Sequence, residues 1–261
     1  MSIALALYGI EGVTSRLALK FAKHYFSCLN LPITGAAYFK YLSNGGHVGD
    51  HDLVMVEMTE LEEKINNGTA TAFRVYNEAA GATPWFASFG YTTNDFGGFY
   101  HFDGQCSGDF IELEGMIKFI KDVSADIAVP YGIVYSCDKV SKAFSYAAGN
   151  NMVTMYPYEN SSAFKKEVPG RFQGRERYKD HLLRMVYPVN VISSKHLEIR
   201  VGGVVLKDWI GESAGRGKLE ALTSSTWLWY VEADQLEGVN KSLGEAGILI
   251  SWKRLEVKKR F

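Results

Sequence analysis

The sequence predicts an α+β fold, with mixed or antiparallel sheets and helices packed on one face. Two observations carry this prediction. Three strand-like runs at residues 70–76, 85–91 and 96–102 are separated by turn residues, the signature of an antiparallel meander. Between and around such runs lie amphipathic stripes of helical period, the clearest over residues 15–29. A composition of 47% apolar, 13% aromatic and 22% charged residues is that of an ordinary globular chain and excludes wholesale disorder.

Residues 3–8 read as a buried strand. The helix over 15–29 places Leu17, Phe21, Tyr25 and Cys28 on one face, with Arg16, Lys20, Lys23 and Ser27 opposite, and Pro32 closes that unit. Residues 43–52 form a polar, Gly-rich loop, 53–58 a short strand, and 59–65 a short acidic helix ending at Asn66, Asn67 and Gly68. In the meander, period two puts Trp85, Ala87, Phe89 and Tyr91 on one face. Asp109 with Glu112 three residues on forms a capping box, opening a helix whose stripe is Phe110, Leu113, Ile117 and Ile120. A strand near 131–136 and a helix over 138–147 complete this section.

Residues 148–174 have no clear period and read as a long connection. The chain is therefore expected to be one α+β domain over 1–261, or two subdomains joined there. A helix over 175–186 puts Tyr178, Leu182 and Met185 on one side and must stop before Pro188. A strand over 222–231 alternates Trp227, Trp229 and Val231 against Leu228 and Tyr230, the pattern of a central strand buried on both faces. It leads into a helix capped by Asp234, with Leu236, Val239 and Leu243 inward and Gly247 as its stop, and then a strand over 248–252.

Charge and cysteine usage narrow the function classes. The net charge of −1 conceals 8 basic against 15 acidic residues in 1–130, and 20 against 14 in 131–261. A neutral whole argues against a dedicated nucleic-acid binder, while an acidic half suits a basic protein partner. No apolar run approaches the ~20 residues of a membrane span. Cys28, Cys106 and Cys137 are odd in number and scattered, as free thiols are in a reducing cytoplasm.

Motifs for chemistry do not meet their own geometric requirements. Residues 211–215 match G-x-S-x-G with Ser213 at its centre, but no His follows Ser213, as the nucleophile-elbow order needs. His47, Asp50, His51 and Asp52 have metal-ligand chemistry, yet Gly45, Gly46 and Gly49 oppose the helix that their i,i+4 spacing prefers. A small hydrolase or metal-dependent enzyme using Ser213 or His47 and His51 is the competing expectation. No enzyme and no cofactor is the leading one. The acidic run Asp50, Asp52, Glu57, Glu60, Glu62 and Glu63 is the candidate partner-binding surface.

Several pieces of the chain occur in an order that resembles the immunity protein 52 family. They are Ala6-Leu7-Tyr8-Gly9 with the following helix, then Tyr187-Pro188-Val189-Asn190, Leu197, Val201-Gly202-Gly203, Leu206 and Trp209-Ile210. Arg216-Gly217-Lys218-Leu219, Leu228-Trp229 and Ala246-Gly247-Ile248-Leu249 continue the series. The resemblance implies a cytoplasmic antidote of a polymorphic-toxin system whose toxin is delivered between bacteria, often by type VI secretion. It would bind a cognate toxin, a DNase of restriction-endonuclease fold, with no direct contact to nucleic acid or membrane.

Overall fold

A computed structural model describes residues 1–46, 50–78, 85–96, 98–108 and 113–253. The first half runs β1 (Ser2–Tyr8), α1 (Ser15–Leu29), β2 (Gly35–Tyr41), β3 (His51–Val56), α2 (Met58–Asn66), β4 (Phe73–Glu78), β5 (Trp85–Thr92), β6 (His101–Ser107) and α3 (Leu113–Asp126). After β7 (Tyr131–Cys137) and α4 (Val140–Ala147) comes a long irregular stretch with three short 3-10 turns. The chain ends with β8 (Val189–Ser193), α5 (Ser194–Leu197), β9 (Arg200–Val201), β10 (Val204–Val205), α6 (Leu206–Gly211), β11 (Lys218–Ala221), β12 (Thr226–Tyr230) and α7 (Leu236–Glu245).

Ten strands form one sheet in the order β11-β12-β8-β7-β1-β6-β5-β4-β2-β3. Every pairing in it is antiparallel. The first strand is therefore central: β1 pairs with β6 on one side and with β7 on the other. A small separate hairpin, β9–β10, turns through Gly202 and Gly203, both at positive φ, which glycine adopts without a Cβ penalty.

β1 explains the layering. Its side chains alternate, and both sets are apolar. Leu5 and Leu7 enter a core with Phe21 and Phe26 of α1, Leu61 of α2 and Phe119 of α3. Ala4, Ala6 and Tyr8 enter a second core with Tyr146 of α4, Leu197 of α5, Trp209 of α6 and Leu243 of α7. Helices thus cover both faces. The expectation of helices on one face fails because a strand apolar on both sides must be buried on both.

α1 occupies the residues its period predicts. Thr14 Oγ1 accepts the Leu17 amide at 3.2 Å, and Asn30 ends the helix in the left-handed region. Other elements depart from expectation. β2 is an unanticipated strand. The third meander strand begins at His101 rather than residue 96. Asp109 and Glu112 lie outside the described residues, and α3 buries Met116, Phe119, Ile120 and Val123. The helix over 175–186 is instead one 3-10 turn at Arg177–Lys179. Leu183 forms a parallel bridge with Leu249, exchanging backbone bonds with Ile248 and Ile250, and the Arg184 carbonyl accepts the Ser251 amide. The expected strand over 248–252 is reduced to isolated bridges at Leu249 and Trp252. α7 begins after Gln235 with no side-chain cap, so Asp234 does not cap it.

Candidate partner-binding surface

The acidic run folds into one place. β3 is the last strand of the sheet, and α2 follows it immediately. α2 buries Leu61 and Ile65 against the first core, which leaves its carboxylates on the outer side. Across the hairpin, Val54 and Val56 share the α2 side with Tyr38 and Ala36. Leu53 and Met55 therefore face the other way, beside Phe39 and Ala37. That face is open: Met55 is 57% exposed, Leu53 37% and Tyr41 49%.

The six sequence-predicted residues do not play equal parts. Glu57 and Glu60 rim a groove of about 490 Å³ that also takes in Ile33, Met55, Met58 and Glu78. Gly35 makes room for Glu78, since a Cβ there would lie 3.0 Å from the carboxylate. Glu60 is tied to Lys64 at 3.2 Å within α2. Glu62 points away toward α1 and pairs with Lys23 at 2.7 Å. Glu63 and Asp52 are exposed, and Asp52 stands opposite Lys40 on the α2 side. Asp50 lies under Gly45, in the loop before β3. The apolar members Leu53, Met55 and Tyr41, together with Glu78, escaped sequence reasoning. Glu78 comes from a strand remote in sequence, and β2 was not anticipated.

Ser213 is exposed, and its hydroxyl accepts the Gly215 amide at 3.3 Å, the geometry of a surface turn before a short 3-10 helix. His47 lies outside the described residues. His51 packs edge-on against Phe39 and Phe96. Among the described residues, no three His, Cys, Asp or Glu side chains gather as a metal site would require. Cys28, Cys106 and Cys137 are free thiols, as expected, and burial pushes the Cys106 thiol up to about 12.

Two buried charge clusters lie behind the surface, on the α4 side of the sheet. Arg74 of β4 donates to both oxygens of Asp103 on β6 at 2.6 Å, with Ser88 and Gln105 completing the network. Gly90 between them has no side chain because a Cβ would meet the guanidinium at 2.2 Å. Phe144 of α4 lies 4.2 Å from the guanidinium carbon. Burial alone would raise the Asp103 carboxyl; Arg74, His101 and Gln105 outweigh it and hold the group below its ordinary value. Deeper in the second core, Arg184 sits between Tyr146 and Phe164 at 3.6 and 4.1 Å and donates to the Tyr146 carbonyl at 2.7 Å. Glu159 is 3.9 Å from its Nε and accepts the Tyr146 hydroxyl at 2.6 Å. These clusters are enclosed and fix the sheet's interior rather than forming an opening to solvent.

With this geometry in view, comparison with known proteins gives one point of contact. The Pseudomonas aeruginosa T6SS protein PA0821 has a similar structure, with a TM-score of 0.51 and 12% sequence identity. The match covers 97% of this chain and 79% of that one. The likeness is one of fold. No family model matches the chain, and no curated protein does. Among the described residues no helix is long and apolar enough to cross a membrane.

Proposed function

We propose that this chain is an immunity protein associated with type VI secretion, which neutralises a cognate toxin in the cytoplasm by stoichiometric binding and performs no reaction. The observation that carries the reading is the likeness of fold, over 97% of the chain, to a protein described as belonging to the T6SS. The ordered pieces from Tyr187 to Leu249, similar to those of the immunity protein 52 family, support it independently. That resemblance implies a DNase of restriction-endonuclease fold as the toxin. Such an enzyme presents cationic surface to phosphate, and the acidic sheet edge with its exposed Leu53 and Met55 is complementary to it. The contact is with the toxin protein and involves neither nucleic acid nor membrane.

Co-expression tests the proposal. Cells producing the toxin encoded beside this chain are expected to survive when the chain is present, and the two proteins to elute as a stable complex of fixed stoichiometry. Continued killing, with no complex by size-exclusion chromatography, would end the reading.

A further inference from the structure

Among the described residues, Asp52–Val56 of β3 are paired as a strand on one side only, with β2, and no strand lies beyond them. In a strand paired on one side, alternate N–H and C=O groups point outward, a ready template for another chain. The two edges of the sheet differ. β11 has four residues, and its Glu220 is held by Lys121 at 2.6 Å. β3 has six residues, and Leu53 and Met55 extend the exposed apolar face that continues to Tyr41.

Two kinds of chain could occupy this edge, and charge decides between them. A second copy paired through β3 about a two-fold axis would bring Asp52, Glu57, Glu60 and Glu63 of each copy toward the same four of the other, a like-charge arrangement that opposes self-association. A basic strand meets the opposite situation. The groove between Glu57, Glu60 and Glu78 has acidic rims, and Met55, Met58 and Ile33 can line the aliphatic stem of a Lys or Arg whose head reaches the carboxylates.

We propose that β3 accepts an extended basic segment of a partner protein as an added strand, with the partner's apolar side chains on Leu53 and Met55 and a Lys or Arg in the adjoining acidic groove. This rests on the reading of the chain as a binding protein and specifies how it would bind. Main-chain hydrogen bonds supply the generic attraction, and the groove with its flanking carboxylates selects a cationic partner.

The test has two arms on the full chain. In the first, a catalytically inactive form of the toxin encoded beside this chain is added, and amide hydrogen exchange is followed along β3. Protection is expected at Asp52–Val56 amides, and the paired substitution Leu53→Lys with Met55→Lys is expected to weaken the complex at least tenfold. Glu245→Lys, an equal change of charge at an exposed position on α7, should leave it unchanged. Both substituted positions are exposed, so thermal melting should show an intact fold. A complex that forms without protection of β3, and tolerates both lysines, overturns strand addition and leaves the immunity reading standing. If no complex forms, the immunity reading fails and the second arm decides. There, an alternating Lys-Val octapeptide and its Glu-Val counterpart are offered to the chain. Selective binding of the Lys-Val peptide, with protection of β3, supports the inference; equal or absent binding overturns it.

Discussion

Arg74 and Asp103 carry a large single-residue prediction. Both are at most 4% exposed, and Asp103 receives two guanidinium bonds at 2.6 Å. Asp103→Asn leaves Arg74 charged and unpaired in the interior, which should cost about 3–5 kcal/mol in chemical denaturation. Replacing both, as Arg74→Met with Asp103→Leu, should recover much of that loss, because no buried charge remains. His196 supplies a pH dependence. Its Nδ1 accepts the Ser193 amide at 3.1 Å, and its Nε2 faces the Tyr178 carbonyl at 2.9 Å, so the ring is neutral with the proton on Nε2. Burial lowers it from 6.5 to about 4, and burial does the same to His101. The folded values lie below the unfolded one, so this stability is complete above pH 6.5 and is lost as pH falls toward 4, by roughly 3 kcal/mol for each ring. Denaturant midpoints measured from pH 7 to 4 should fall through that window, and His196→Gln should flatten part of the decline. The Asp103 carboxyl titrates below 3.8 and leaves the same window unaffected.

Among the elements, β12 shows how a legible pattern acquires its energetic weight. Trp229 is fully buried beside Asn190 of β8, and its Nε1 donates to the Arg216 carbonyl at 2.9 Å. Trp229→Ala should destabilise by about 3–5 kcal/mol in thermal or denaturant melts, through both the cavity and the orphaned carbonyl. β12 is the second strand from the edge rather than a central one, and Trp227 and Tyr230 are accordingly only partly buried. α1 was readable because its stripe, its Thr14 cap and its terminal Asn30 all lie within seventeen residues. β2 was not, because Ala36, Ala37, Tyr38 and Lys40 alternate too weakly to mark a strand, and its identity depends on β3 and β4 beside it. The segment after residue 174 misled for a similar reason. Tyr178 and Met185 are buried as their spacing suggested, but extended pairing with residues 248–251 satisfies the backbone that a helix would have satisfied internally.

At the scale of the whole molecule, the charge asymmetry between the halves becomes a polarity of the sheet. β3 and α2 form one end, with six carboxylates between Asp50 and Glu63, whereas the opposite edge is built from the basic half of the chain. Charges on an exposed rim act mainly on association rate and are screened by salt. Association with the cognate toxin should therefore slow about tenfold or more between low and roughly 0.5 M salt, measured by stopped-flow or surface binding. Glu57→Lys with Glu63→Lys, both exposed and outside the Glu60–Lys64 and Glu62–Lys23 pairs, should remove much of that salt dependence with little change in melting temperature. Glu62→Lys is a poorer test of the same surface, because Glu62 is paired with Lys23 and its reversal would also place two lysines together on the α1 side.

The sequence alone determined the elements whose signals are local: the strand at Ser2–Tyr8, the helix at Ser15–Leu29, the meander through β5 and the acidic character of residues 50–63. It also placed the candidate carboxylates, though not what stands beside them. Only the tertiary structure decided that β1 is central, that helices cover both faces, and that β3 is, among the described residues, the last strand of the sheet, where Met55 and Glu78 join Glu57 and Glu60 around one groove. The physical reason is sequence separation. Ile3 pairs with Cys106 on one side and Ser136 on the other, so neighbours are set by long-range burial and backbone pairing, which leave no periodic trace in a window of ten or fifteen residues.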